Sequence, residues 1–196
     1  VTLGTLTLTD NTGVASNYSL SSATLDINEK PISLNGTKVY DALTTAASSA
    51  LTISGIVGGQ DLTLSGNGTL VTGADAGTNK TINTTGLSLG DGVSGTPGTA
   101  SNYTLAGGTH QMSVTQKPVS ISGSRFYDST TNVSSSDINT FNDTVGGQTL
   151  AITGSGSVST AVAGSGKTIS LGTLTLTDGT GLASNYSLSS GTFDIN

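Results

Sequence analysis

The chain contains its own copy. Lys30-Pro31 returns as Lys117-Pro118, Tyr40-Asp41 as Tyr127-Asp128, and Val57-Gly58-Gly59-Gln60 as Val145-Gly146-Gly147-Gln148, at offsets of 87, 87 and 88 residues. That period is a small domain, not a solenoid coil of roughly 20–45 residues. A module copied in tandem supplies length, or many copies of a weak contact, and seldom one catalytic centre. A further phrase begins at Val1, Ile82 and Ile169, and residues 1–28 and 169–196 are identical at 22 of 28 positions. The middle copy differs more, which fits a repeat of two alternating modules. With the module opening at Lys30, residues 1–28 are the tail of a preceding repeat, 29–115 the first full module and 116–196 the second. A lone strand pair is not stable, so the tail is expected to pack on a neighbour or to complete another sheet.

Composition limits what such a module can be. Aromatics are 4% and Trp is absent, so Val, Leu, Ile and Ala must fill the core. Charged residues are only 9%, against about 25% in ordinary domains. Disorder is the competing reading of so polar and Gly-rich a chain, but apolar residues alternate in phase with Thr and Ser, as sheet faces require. Net charge is −6 with six Lys+Arg scattered along the sequence, which excludes a nucleic-acid interface and an anionic membrane surface. Without cysteine there is neither a disulfide scaffold nor a thiolate metal site. No apolar run approaches the ~20 residues of a membrane span. No signal peptide is present, and the sequence reads as a piece from the middle of something longer.

Thr5–Thr9 and Thr173–Thr177 alternate strictly, which predicts strands with one buried face. Just before each, the parity slips at Gly4-Thr5 and at Gly172, and in the middle copy near Gly86. One extra residue beside a glycine predicts a β-bulge in every copy. Further strands are expected at 18–27, 32–39, 51–54, 61–65 and 68–72. Their counterparts are 103–114, 119–126, 149–153, 156–160 and 186–195. Asn35-Gly36 and Asn67-Gly68 predict type I′ hairpin turns; only 44–50 has room for a turn or two of helix. The expected fold class is all-β: tandem small antiparallel modules, sandwich (Ig-like) or β-grasp-like, in an elongated arrangement.

The order Lys-Pro, Tyr-Asp, Val-Gly-Gly, Gly-x-x-Lys-Thr and Ser-Asn-Tyr, met twice, resembles the YDG-type and related MBG-type repeat modules of large bacterial surface adhesins, many of them filamentous-haemagglutinin-like. The resemblance covers two full copies plus the tail. It marks Asn17, Tyr18, Lys30, Pro31, Tyr40, Asp41, Asn102, Tyr103, Lys117, Pro118, Tyr127, Asp128, Asn185 and Tyr186 as repeat-signature structural positions. It implies a secreted, cell-surface stalk of many β modules and transfers no catalytic residue. One departure stands out: the family's Tyr-Asp-Gly reads Tyr40-Asp41-Ala42 and Tyr127-Asp128-Ser129, which puts the turn after Asp in doubt.

Each chemical candidate has a plainer reading. His110 is the only histidine and has no copy in the other module, so a dyad yields to a packed strand residue. Gly164-Ser165-Gly166-Lys167-Thr168 echoes a phosphate loop, but Ala161 stands where that pattern needs Gly. A glycine turn explains it. Calcium between modules would fall to Asp10, Asp41, Asp91, Asp128 and Asp178, yet the acids are spread singly, and an Asp bonding its own turn is the simpler account. The recurring tyrosines are core or corner rings, or a sugar-stacking platform. Lys30 and Lys117 could form an isopeptide crosslink with an Asn. The chemistry therefore favours a structural stalk or spacer, with no cofactor, whose partners are neighbouring repeats. It would project a binding tip in adhesion or biofilm cohesion. The alternatives are a weak multivalent binder of surface or matrix glycans and an ice-binding Thr array.

Overall fold

The computed structural model describes residues 2–22 and 24–196. Its first body contains β1 (Lys30–Pro31), β2 (Ser33–Val39), β3 (Thr45–Ala47), β4 (Leu51–Ser54), β5 (Leu62–Leu70), β6 (Gly77–Asn83), β7 (Leu87–Asp91), β8 (Tyr103–Thr104) and β9 (His110–Thr115). The second repeats this order as β10 (Lys117–Arg125), β11 (Asn132–Ser134), β12 (Ile138–Asn142), β13 (Leu150–Thr153), β14 (Ser155–Ser157), β15 (Gly164–Thr168), β16 (Thr175–Asp178) and β17 (Tyr186–Ile195). The all-strand tandem class expected from alternation is what forms; among the described residues the only helical pieces are three-residue 3-10 turns.

The two bodies share a four-strand order. The order β4-β2-β9-β6 in the first continues through β5 to β3 as one seven-stranded sheet with β7 paired to β5, whereas in the second the four-strand sheet β12-β10-β17-β15 is accompanied by two two-strand sheets, β11-β14 and β13-β16. Pairing between the strands is antiparallel except at the start and end of each body (β1 with β8, and the ladders below), with one further parallel bridge at Asp61↔Pro97. Where the start of a body meets its end the ladder is parallel: β2 with β9, and β10 with β17 from Lys117↔Tyr186 to Arg125↔Ile195 with a one-residue register shift between Val119 and Ser120. Alternate residues of these strands point inward. In the second body Ile121, Val133, Ile169, Phe193 and Ile195 are buried together.

Three local expectations are corrected. Asn35-Gly36 and Asn67-Gly68 are not hairpin turns but lie inside β2 and β5, and 61–65 and 68–72 are one strand. The glycines are there for close approach: a Cβ on Gly36 would sit 2.3 Å from the Ala50 carbonyl oxygen, and one on Gly68 2.6 Å from Ile82 Cγ2. The parity slips are not bulges. Leu174 N–H donates to Leu171 O (2.8 Å), Leu87 to Thr84 (2.8 Å) and Leu6 to Leu3 (2.9 Å), so each slip is a hydrogen-bonded four-residue turn. Through that corner in the second body the chain leaves the four-strand sheet and enters a two-strand sheet, as β15 pairs with β17 and β16 with β13. The segment 44–50 is β3 followed by one 3-10 turn.

The strand expected at 18–27 does not form among the described residues. The tail's only regular element there is a 3-10 turn at Ala15–Asn17, and Tyr18, Leu25 and Ile27 are exposed. Backbone hydrogen bonds of the tail's described residues stay within the tail.

The close approach at Gly36 recurs at Gly123, where a Cβ would lie 2.2 Å from Asp137 O. Gly36→Ala and Gly123→Ala should each cost about 1–3 kcal/mol, the range for overpacking. Urea unfolding of the two variants should show similar losses, because the crowding atom is backbone in both.

Candidate functional site

The matched residues gather where one body meets the next. Only Gln116 separates β9 from β10, and its side-chain amide donates to Ser184 O (3.1 Å). Tyr40 lies just beyond the end of β2, and its ring meets Tyr186 edge-on with centroids 5.4 Å apart. Gln148 ties the two: its Nε2 donates to the Tyr40 hydroxyl (3.1 Å), while its Oε1 accepts from the Tyr186 hydroxyl. The Tyr186 oxygen also accepts from Val145 N–H (3.1 Å). The Val-Gly-Gly-Gln motif is thus a loop that delivers an amide to two phenols, and both Gly146 and Gly147 need positive φ (58° and 74°) to do it.

The buried polar contacts continue through Asn185, which is 1% exposed. Its Oδ1 accepts from Ala76 N–H (2.7 Å) and its Nδ2 donates to Asp75 (2.8 Å) across the joint. Lys80, itself buried, donates to Asp75 O and so holds the segment that Asn185 contacts. Apolar packing is continuous as well: Leu34, Met112, Val114 and Tyr40 of the first body cluster with Val119, Leu150 and Tyr186 of the second. A contact desolvated in this way resists bending.

The same parts stand at the outer ends. Tyr103 is buried, its hydroxyl donating to Gln60 and accepting from Val57 N–H (3.2 Å), as Tyr186 does with Gln148 and Val145. Asn102 is exposed where Asn185 is covered. At the far end Tyr127 is 59% exposed whereas its counterpart Tyr40 is 5% exposed, so the ring is covered only where a second body is attached. Lys30-Pro31 and Lys117-Pro118 pair in parallel with Tyr103-Thr104 and Tyr186-Ser187. Burial of Tyr103 and Tyr186 removes both as a sugar platform.

The Tyr-Asp turn explains the departure from glycine. Ala42 and Ser129 have φ of 61° and 66°, so the left-handed turn persists without it. Asp41 Oδ1 accepts from Leu43 N–H (2.9 Å), and Asp128 Oδ1 from Thr130 N–H (2.9 Å). A cation two residues before the tyrosine fastens each turn. Lys38 Nζ bonds Asp41 (2.8 Å), Leu43 O (2.7 Å) and Thr45 O (3.0 Å), and Arg125 contacts Asp128 (3.0 Å) while lying over the Phe193 ring. Sequence reasoning missed Lys38 and Arg125, although a basic residue two before Tyr-Asp in both copies was the available signal, and it matched Gln60 with Gln148 without assigning them a role.

The other candidates stay apart. Asp10, Asp91 and Asp178 each accept from the backbone N–H of an alanine starting a 3-10 turn (Ala15, Ala100, Ala183). Among the described residues no three His, Asp or Glu side chains converge as metal ligands. His110 Nε2 lies 2.6 Å from Leu105 O. Gly164–Thr168 is strand β15, with Gly166 N–H donating to Asp194 (2.7 Å), a carboxylate where a phosphate would have to sit. A carboxylate not foreseen, Asp61, accepts from Val93 N–H, Ser94 N–H and Ser94 Oγ at 2.9–3.0 Å.

These contacts can be tested one at a time. Ala42→Gly and Ser129→Gly should stabilise by up to about 1 kcal/mol, since the left-handed conformation costs an L-residue roughly 1–2 kcal/mol and added unfolded-state freedom returns about 0.4–1; thermal melts check this. Asn185→Ala should cost about 1–3 kcal/mol by stranding Ala76 N–H and Asp75. Asn102→Ala, at the exposed equivalent, should stay within about 0.5. Val93 N–H above all, with Ser94 assisting and desolvation opposing, holds the Asp61 carboxyl below its usual value; Thr130 N–H does the same first for Asp128. Burial pushes Asp41 up, but Lys38 and Leu43 N–H outweigh it and the net direction is down. With folded values depressed, the stabilisation is present above the unfolded pKa of about 3.9 and is lost as pH falls through the folded values. Asp61→Asn should flatten the acid limb of a stability–pH curve and leave the neutral plateau's shape unchanged.

A family model for the YDG domain matches residues 28–112 and again 109–193. No curated protein and no solved structure matches the chain. The first match ends inside β9 and the second begins just before it, so the two overlap over residues 109–112, and each takes in one Tyr-Asp turn, whose next residue has a positive φ in both. The chain belongs to the YDG domain family, which it carries as two tandem copies.

Proposed function

We propose that this chain is a structural, non-enzymatic stalk segment of a secreted bacterial surface adhesin, in which YDG bodies stacked end to end carry a binding tip away from the cell. The observation that carries this reading is the joint. One linking residue, an edge-on tyrosine pair and a glutamine bonded to both hydroxyls leave little freedom between the bodies. The polar contacts at this interface fasten two bodies, and the signature aspartates Asp41 and Asp128 are occupied in local turns with Lys38 and Arg125. No helix among the described residues is long and apolar enough to cross a membrane. Neighbouring repeats are the partners, and adhesion or biofilm cohesion is the setting in which reach without chemistry is useful.

Small-angle scattering tests the mechanical part. A nine-residue strand such as β10 spans about 30 Å at ~3.3 Å per residue, so two bodies in line should give a rod of about 60 Å beyond the tail's contribution. Inserting Gly-Ser-Gly-Ser after Gln116 should broaden the distance distribution, as a flexible linker does. A compact side-by-side particle, or a rod indifferent to the insertion, overturns the stalk reading. Antibody labelling of intact cells tests the surface assignment.

A further inference from the structure

The lysine of Gly-x-x-Lys-Thr and the asparagine of Ser-Asn-Tyr are repeat positions that the joint brings together. We infer that Lys80 and Asn185 are the two halves of a self-made isopeptide crosslink that ties the first body covalently to the second. The inference uses the geometry of the joint and does not rest on the stalk reading.

Both side chains are buried, and both end on one stretch of chain. Lys80 is 8% exposed, and its Nζ donates to Asp75 O (2.5 Å). Asn185 Oδ1 accepts from Ala76 N–H (2.7 Å), while its Nδ2 donates to Asp75 Oδ1 (2.8 Å). The amine and the carboxamide therefore stand on the two sides of a single peptide unit, Asp75–Ala76. Lysine is rarely buried unless it is paired, yet among the described residues Lys80 forms no ion pair. A crosslink answers that cost, because it turns a buried amine into a neutral amide. Lys30, expected from the sequence as a crosslinking lysine, is exposed.

Each atom of the Asn185 amide has the neighbour that the reaction needs. Ala76 N–H on the carbonyl oxygen polarises the bond and stabilises the oxyanion that forms there. The Asp75 carboxylate touches the nitrogen that must leave, and is placed to carry a proton to it. Rotation about the outer bonds of the lysine takes Nζ, as the free amine, from Asp75 O to Asn185 Cγ. The Nζ–Cγ bond forms and the Cγ–Nδ2 bond breaks. The proton lost by Nζ passes through the Asp75 carboxylate to Nδ2, which leaves as ammonia. No oxidant or co-reactant is consumed, and the positive charge of the lysine departs with the ammonium ion.

The constellation is complete only where the two bodies meet. Lys167, the counterpart of Lys80, is half-buried, and Asn102, the counterpart of Asn185, is exposed. The counterpart of Asp75 is Val162, so the outer end of the second body lacks the carboxylate altogether. The crosslink therefore belongs to one of the two module types, the type that carries Asp75 ahead of its Gly-x-x-Lys-Thr strand.

Intact-mass spectrometry of the full chain is the test. The unaltered chain should be lighter than its sequence by one ammonia, and a digest should contain a branched peptide joining Lys80 to Asn185. Lys80→Arg, which keeps the charge, should have its full mass. Asp75→Asn, which keeps both reacting groups, should slow the mass loss at least about a hundredfold, the lower end of what general acid–base help supplies. A full-mass unaltered chain overturns the inference, whatever the variants do. So does an ammonia loss that persists in Lys80→Arg, which would mark a cyclised asparagine at Asn35-Gly36 or Asn67-Gly68 instead. Because the link holds the bodies past any loop at Gln116, the Gly-Ser-Gly-Ser insertion is read in the Lys80→Arg chain, where the stalk reading alone is at stake.

Discussion

Everything in a YDG body waits on the parallel pairing of its first strand with its last. β17 lies between β10 and β15, so the sheet has a gap until the final ten residues arrive. Contacts of such sequence separation are slow to form because loop closure comes before the reward. The same pairing decides the direction of the array. Parallel terminal strands put the entry and exit of a body at opposite ends, whereas an antiparallel pair would bring both to one end and fold the array back on itself. End-to-end stacking is therefore a consequence of the ladder β2–β9, with Gln116 having only to continue it.

A thin core explains why the joint is shared. With so few aromatics, no body has many large side chains to bury, and apolar area is the main source of stability. The first body places Met112 where the second has Phe193, and gains by extending its cluster through Tyr40 into Val119, Leu150 and Tyr186. Backbone contact supplies more of the packing: Gly36, Gly68, Gly123 and Gly156 let chains approach at distances a methyl group would block. Glycine abundance in this sequence signals dense packing at those positions and not looseness.

What the sequence disclosed came from strict periodicity. The strand at 51–54 is readable to the residue because LTIS alternates and is flanked by small residues, and the tandem organisation is readable from Tyr-Asp and Val-Gly-Gly-Gln alone. Asn35-Gly36 misled because the same dipeptide serves a positive-φ turn or a strand crossed closely by another segment, and only the position of the Ala50 carbonyl distinguishes them. The slip at Gly172 was visible, but whether it bulges a strand or turns a corner depends on which partner β16 finds. The joint was least legible. Tyr40 and Tyr186 recur as signature residues in either case, and nothing local in the sequence tells that one is covered by the neighbour of the other.

The turn after Tyr-Asp shows how such a joint tolerates sequence drift. Its geometry requires a left-handed residue, and losing glycine there should have loosened it. Instead the Asp carboxylate holds the N–H two residues on, and Lys38 or Arg125 gathers the turn's carbonyls from the strand side. Strain at one residue persists because its neighbours over-determine the turn. The benefit lies one residue earlier. A fixed turn keeps Tyr40 at the tip of the body, where its hydroxyl meets Gln148 and its ring meets Tyr186, and a tyrosine on a loose turn would lose that orientation. The clamp by Lys38 and Asp41 thus acts on the joint through position alone, which is why two different cations serve equally in the two copies.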